Sequence, residues 1–105
     1  MFQIASATLA NRIPDTLRQH AERRLRFATD RFQNQIRNVI LRLSDVNGPR
    51  GGVDKLCRLT ATLRHGRTIH TAARNSSFYG AVNTAVRRLQ HALSRTAQLQ
   101  SGRQV

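Results

Sequence analysis

The chain has 105 residues, the size of one domain with one core, and its single cysteine, Cys57, excludes an internal disulfide and fits a reducing compartment. Its 18 basic residues, 17 of them arginine, face only 5 acidic ones, and the net charge of +13 destabilises a compact state unless a polyanion relieves the repulsion. No stretch is apolar enough for a membrane span and the N-terminus lacks a signal-peptide pattern, so we expect a cytoplasmic protein that binds nucleic acid.

The first third of the chain predicts a strand and a helix. Phe2 and Ile4 alternate with a polar and a small residue, as in a strand. Pro14 and Asp15 then begin a helix, because proline suits the first helical turn and an acid there complements the helix dipole. This helix ends at residues 33–35, and its apolar stripe consists of Leu17, Ala21, Leu25, Ala28 and Phe32.

Three strands are predicted next. The second and third show the alternation of half-buried strands, in Val39, Leu41 and Leu43 and then in Cys57, Leu59, Ala61 and Leu63. A fourth strand covers residues 68–74. If Leu63 and Ile69 both face the core, a two-residue turn between these strands has the wrong parity, so we expect a three-residue turn or a bulge around residues 65–67.

The last predicted element is a helix that begins after residues 75–77, whose side-chain oxygens suit a helix cap. Its buried stripe consists of Phe78, Val82, Ala85, Val86, Leu89 and Leu93. We expect one domain over residues 1–97 and a flexible C-terminal tail over residues 98–105.

The order β-α-β-β-β-α predicts an α+β fold with a four-stranded sheet. Three consecutive strands favour antiparallel pairing, and two helices with one apolar stripe each are expected to cover the same sheet face. The opposite face is then polar and meets water. Its side chains are those of Arg42, Arg58, Thr60, Thr62, Arg64 and His70.

Basic residues form one stripe on each predicted helix. On the first helix one flank holds His20, Arg23, Arg24, Phe27 and Arg31, and on the second the side away from the buried stripe holds Thr84, Arg87, Arg88, His91 and Arg95. Basic groups three or four residues apart are neighbours on a helix surface and can follow a phosphate backbone. Either stripe alone could be a solvated face. The two together predict an RNA-binding surface made by Arg23, Arg24, Arg31, Arg87, Arg88, His91 and Arg95.

The segment DVNGPRGGVDKLCRL, residues 45–59, is rich in turn-forming glycine and proline. A phosphate-binding loop would lead into a helix through a Lys-Ser/Thr pair, whereas Lys55 leads into a predicted strand. We therefore interpret the segment as the connection between the second and third strands. Arg50 and Lys55 are further candidates for RNA contact, and the alternative is a solvated turn.

The sequence gives little support for catalysis, for metal binding or for two other kinds of RNA-binding domain. The histidines and Cys57 lack metal-ligand spacing, and the five acidic residues offer no general acid/base pair, so we expect no enzyme, metal or cofactor. An RNA-binding sheet that stacks bases would need aromatic residues on its strands, and they are almost absent there. A double-stranded RNA-binding domain would have basic residues at the start of its last helix, whereas the first one here is Arg87, well inside it.

Two segments resemble the ribosome hibernation promoting factor family, also called ribosome-associated inhibitors or sigma-54 modulation proteins. IPDTLRQHAERRLRF, residues 13–27, resembles the first helix of that family, and SSFYGAVNTAVRRLQHALSR, residues 76–95, is similar to its second helix. The positions that match basic places in these helices are Arg24, Arg88, His91 and Arg95. Phe27 and Asp30 differ from the family, in which lysine is usual at both places.

The resemblance covers nearly the whole chain and is closest to the short members of the family. It implies a β-α-β-β-β-α fold and a cytoplasmic factor that binds the small (30S) ribosomal subunit. Such a factor contacts 16S ribosomal RNA in the channel used by messenger and transfer RNA, and it stops translation in stressed or stationary-phase cells. We expect a monomer when bound, with no small-molecule substrate and no membrane partner. The alternative is a constitutive ribosomal protein or a general RNA-binding protein.

Overall fold

A computed structural model describes the backbone of residues 2–6, 13–46 and 53–103 and the side chains of residues 13–46 and 53–97. Within these ranges the chain forms four strands, two α-helices and a 3-10 turn. In chain order they are β1 (Phe2–Ser6), α1 (Asp15–Thr29), the 3-10 turn (Asp30–Phe32), β2 (Ile36–Asp45), β3 (Lys55–Leu63), β4 (Thr68–Asn75) and α2 (Phe78–Arg103). Arg50 lies outside the described residues.

The strands form one sheet in the order β1-β2-β3-β4. β2 pairs antiparallel with β3, and β3 pairs antiparallel with β4. β1 runs parallel to β2, with Phe2 beside Val39, because α1 lies between these two strands and returns the chain to the same end of the sheet. The predicted α+β class and the antiparallel pairing of three consecutive strands are confirmed.

Both helices cover the same face of the sheet. Alternate side chains of β2, β3 and β4 are buried on that face, whereas Arg42, Arg58 and His70 on the other face are exposed, as predicted. The predicted apolar stripes of both helices join the sheet in one core. Its fully enclosed side chains include Leu25, Val39, Leu41, Leu59, Leu63, Val82 and Leu89. This one-sided burial leaves the outer surface of the helices to the charged residues.

Two irregularities keep the core side of the sheet continuous. The pairing of β2 with β3 shifts between Ile36 and Asn38, so Ile36 and Val39 are both buried although they lie three residues apart. Between β3 and β4, Leu63 donates its N–H to the carbonyl of Arg67 at 2.8 Å, which leaves three residues, 64–66, in the turn. Gly66 has a φ of +98°, a value that glycine adopts without strain. The predicted three-residue turn is confirmed, one residue earlier than expected.

The helices begin where the sequence predicts. α1 starts at Asp15, and α2 is capped by Ser77, whose Oγ accepts the N–H of Gly80 at 3.2 Å. Asn75 supports this cap, since its Oδ1 accepts the N–H of Ser77 at 3.0 Å. The side chain of Asn75 packs so closely on Gly80 that a Cβ there would come within 2.5 Å of it. Glycine therefore allows the β4–α2 junction to close.

The two helices end in different ways. α1 changes to a 3-10 turn after Thr29 and this turn ends at Phe32, so the helical segment stops just before residues 33–35, as predicted, with Arg31 in the turn. α2 continues to Arg103, past residue 98, where a flexible tail was predicted to begin. Glutamine and leucine are good helix formers, and no glycine or proline occurs in residues 81–101, so nothing local ends the helix earlier.

Cys57 gives a test of the core. Its side chain is fully buried, and burial raises the pKa of the thiol from 9.0 to about 12. The thiol therefore stays protonated near neutral pH, and we expect no alkylation by iodoacetamide until the protein unfolds. Cys57→Ala should lower the free energy of unfolding by about 1–2 kcal/mol, measured by urea denaturation. Rapid alkylation of the native protein at pH 8 would contradict this assignment.

Candidate nucleic-acid interface

Polar contacts hold the two helices side by side. The Tyr79 hydroxyl donates to Oγ1 of Thr16 at 3.2 Å, and His20 Nε2 donates to Oδ1 of Asn83 at 2.7 Å. The rings of His20 and Tyr79 lie 5.0 Å apart. The contacts advance by four residues along both helices, from Thr16 and Tyr79 to His20 and Asn83, so α1 and α2 run in the same direction. The two basic stripes consequently lie next to each other on one helix layer.

The outer surface of this layer is strongly basic. α2 has no acidic residue at all, and α1 has two, Asp15 and Glu22. Most of the predicted RNA ligands lie exposed on these elements, and the structure brings them onto one side of the molecule. They are Arg23 and Arg24 on α1, Arg31 in the 3-10 turn, and Arg87, Arg88, His91 and Arg95 on α2.

The arginines of the two helices are not equivalent. Arg88 donates a hydrogen bond from Nη1 to the carbonyl of Ala72 in β4, so it lies against the edge of the sheet. β4 is the last strand of the sheet, and this contact occupies one of the backbone acceptors at its free edge. Arg88 therefore has a structural role at the sheet edge in addition to the contribution that its charge makes to the basic surface. Within the described residues no such contact holds the guanidinium groups of Arg87 and Arg95, which are therefore better candidates for binding phosphate.

Lys55 differs from the other candidates because acidic residues surround it. Its ammonium lies 2.7 Å from the carboxylate of Asp45 and 3.5 Å from that of Asp54, and it sits over the ring of Phe78 at 5.7 Å. The hydrogen bond to Asp45 raises the pKa of Lys55. This ion pair closes the base of the β2–β3 connection. Lys55 is consequently a poorer phosphate ligand than the exposed arginines.

Sequence reasoning missed the ion pairs of Lys55 although a signal for them existed. Asp45 and Lys55 are direct cross-strand partners at the ends of β2 and β3, a register that follows once the two strands are paired. Asp54 precedes Lys55 in the chain and is fully buried. A buried carboxylate is stable only when an opposite charge or hydrogen bonds compensate it. The single lysine of the sequence has one acid before it in the chain and another across the strand pair, and this arrangement indicated a structural ion pair.

The open face of the sheet provides a second basic area. Arg42 and Arg58 lie directly opposite each other on β2 and β3, and both are exposed. His70 lies opposite Thr60, and their side chains form a hydrogen bond of 3.3 Å. Like charges in direct cross-strand positions repel each other. This face is nevertheless mixed in character, since threonines separate its charges, whereas the helix layer is more uniformly basic.

A groove lies between the helices where α1 passes into the 3-10 turn. Phe27 lines it and is 80% exposed. The other side chains that line it come from α1, the 3-10 turn and one position of α2. They are Arg23, Arg26, Asp30, Arg31 and Gln90.

The described residues give no support to a metal site. No three histidine, cysteine, aspartate or glutamate side chains come together in that part of the chain in a way that could hold an ion. No helix within the described ranges combines the length and hydrophobicity that crossing a bilayer requires.

The fold and the surface together define a small α+β protein with a strongly basic layer of two parallel helices. The chain belongs to the family described as Sigma 54 modulation protein / S30EA ribosomal protein, whose model matches residues 10–100. The resemblance found in the two helical segments is thereby confirmed. No curated protein sequence matches the chain significantly.

Two solved structures have a similar fold. A ribosomal subunit interface protein from Coxiella burnetii superposes with a TM-score of 0.74 at 20% identity, over 92% of this chain and 97% of that one. The N-terminal domain of Protein Y from Thermus thermophilus superposes with a TM-score of 0.71 at 18% identity, over 90% of this chain and 94% of that one. At these identities the likeness concerns the fold.

Charge reversal on the two surfaces tests which one binds RNA. Changing Arg87 and Arg95 to glutamate should weaken binding to ribosomal RNA by two or more orders of magnitude, since a lost charge-assisted hydrogen bond costs about 1.5–3 kcal/mol. Reversing Arg42 and Arg58 is the matched control, because it changes the net charge equally and leaves a like-charged cross-strand pair. Binding curves at fixed salt, with circular dichroism to verify folding, measure the difference.

Equal losses for the two pairs would indicate unspecific attraction between a basic protein and a polyanion. A larger loss from the sheet pair would place the RNA on the open face of the sheet and contradict the predicted surface.

Proposed function

We propose that this protein binds the small ribosomal subunit in the channel of messenger and transfer RNA and thereby stops translation in stressed or stationary-phase cells. It binds as a monomer, and its location is the cytoplasm, where its ribosomal partner is. The observation that carries the proposal is the layer of two parallel helices with exposed arginines, in a chain of this family. The phosphates of 16S ribosomal RNA are the proposed ligands.

The chemistry of the helix layer suits such a partner. Guanidinium groups bind phosphate oxygens in a bidentate way, and they remain charged at any physiological pH. The ion pairs of the described residues join Lys55 to Asp45 and Asp54, and none of them occupies an arginine of the proposed surface. Binding to a polyanion also relieves the self-repulsion that a net charge of +13 creates.

Inhibition in this proposal needs no catalytic residue. A rigid domain that occupies the channel excludes messenger and transfer RNA by its volume. The buried core and the polar contacts between α1 and α2 supply that rigidity. The basic helix layer supplies the affinity, which depends on several phosphate contacts made at once.

Salt dependence tests the electrostatic part of the proposal. The protein should co-sediment with free small subunits, more strongly than with large ones, and should inhibit translation in a purified system. If six arginines each neutralise one phosphate, the affinity should fall by about a thousandfold between 50 and 200 mM salt, because each contact releases condensed counterions. Pelleting that does not change over this range, or equal binding to large subunits, would exclude the proposed mode.

The family description also contains the words ribosomal protein, so a constitutive ribosomal protein is the alternative function. The growth stage at which the protein is bound to ribosomes separates the two functions. A hibernation factor should be associated with ribosomes mainly in resting cells. A structural ribosomal protein should be present in equal amount at all stages. Quantifying the protein in ribosome fractions from growing and stationary cultures distinguishes the two.

A further inference from the structure

Phe27 is more exposed than the other large apolar side chains on the described surface, such as Val53 and Tyr79. A single exposed apolar residue is ordinary in a soluble protein. Phe27 differs because it lies in a groove, and the side chains around it are long, polar and mostly cationic. The groove therefore combines a flat apolar ring with charges at its border.

The charges of the groove select the kind of ligand. Three guanidinium groups, of Arg23, Arg26 and Arg31, face one carboxylate, of Asp30, so the groove has a net charge of +2. A purely apolar partner would leave these groups without compensation. A ligand with a flat ring between two anionic groups matches all of them, and a nucleotide in a single strand has this form: its base has a π-face and its flanking phosphates are anionic.

Asp30 also favours a nucleobase as the occupant of the groove. A carboxylate repels phosphate, but it accepts hydrogen bonds from the amino and imino groups of a nucleobase. Asp30 is held in position, because its Oδ1 accepts a hydrogen bond of 3.0 Å from Nε2 of Gln33. No ion pair joins Asp30 to a neighbouring arginine within the described residues. Its second oxygen and the amide of Gln90 are available at the groove.

The backbone below Phe27 is rigid enough to present the ring. On either side of it in the chain, Leu25 and Ala28 are buried in the core. Thr29 donates from Oγ1 to the carbonyl of Leu25 at 2.7 Å, which fixes the end of α1. The guanidinium of Arg31 lies over the ring of Phe32 at 5.6 Å and is thereby held beside the groove. A platform on a fixed helix loses little freedom when a base stacks on it.

We propose that Phe27 is a stacking platform for one unpaired RNA base. Arg23 and Arg31 bind the phosphates on either side of this base, and Asp30 and Gln90 face its edge. The inference rests on the proposed function and deepens it, since it names a single-stranded segment of RNA as the ligand of this groove. The remaining arginines of the helix layer contact only the phosphates of the RNA backbone.

The experiment compares two probes, a single-stranded RNA of ten nucleotides and an abasic sugar-phosphate oligomer of the same length. Phe27→Leu keeps an apolar helix-forming residue but removes the π-face, and Phe27→Trp keeps the π-face. Val53→Ala is the control, because it shortens another exposed apolar side chain that lies outside the groove. Fluorescence anisotropy of labelled oligomers at fixed salt gives the affinities.

Phe27→Leu should weaken binding of the RNA by about 5- to 100-fold, the usual loss on removing one aromatic platform, and leave binding of the abasic oligomer unchanged. Phe27→Trp and Val53→Ala should bind both probes like the unaltered protein. An equal loss for both probes, or no loss for either, overturns the inference. It is also overturned if Phe27→Leu impairs binding to whole ribosomes but not to RNA, since the ring would then contact a protein.

Ribosome co-sedimentation separates this inference from the proposed function. If Phe27→Leu has no effect and the unaltered protein still pellets with small subunits in a salt-dependent way, the stacking platform is wrong and the proposed function stands. If the unaltered protein does not pellet with small subunits, the proposed function is wrong.

Discussion

Burial of one sheet face under two parallel helices is the constraint on which the other features depend. Each helix has one apolar stripe, and the sheet has one apolar face, so both stripes must meet that face. Once Leu25 of α1 and Leu89 of α2 are buried in the core, the opposite side of each helix must face the solvent. The arginines are consequently displayed on a common layer because of packing in the core, without any direct contact that brings them together.

The distribution of acidic residues explains why this layer stays strongly charged. The chain has five acids, and two of them, Asp45 and Asp54, compensate Lys55 at the base of the β2–β3 connection. These ion pairs stabilise the β2–β3 hairpin beside the start of α2 and leave only three carboxylates, those of Asp15, Glu22 and Asp30, for the helical elements. The protein therefore combines local charge compensation in the sheet with an uncompensated surface on the helices, and the second is what a polyanion can use.

Packing also gives similar residues different tasks. Arg88 contacts the backbone of the edge strand, whereas Arg87, one residue earlier, makes no such contact in the part of the chain that the structure describes. In the same way Phe32 is buried and Phe27 is exposed, although both are phenylalanines of the same helical segment. These differences follow from the direction in which each side chain leaves its helix. Some arginines of this chain can therefore stabilise the fold while others bind RNA, although nearly all of its basic residues are of the same type.

The sequence by itself determined the α+β class, the antiparallel strands, both apolar stripes and the three-residue turn before β4, because each depends on the periodicity or parity of neighbouring residues. It also indicated which helical residues are exposed. The tertiary structure alone decided that α1 and α2 are parallel, that Arg88 reaches Ala72 and that Phe27 lies in a basic groove with Gln90. These contacts join residues 16 to 63 positions apart, and such distances have no periodic signature in the chain.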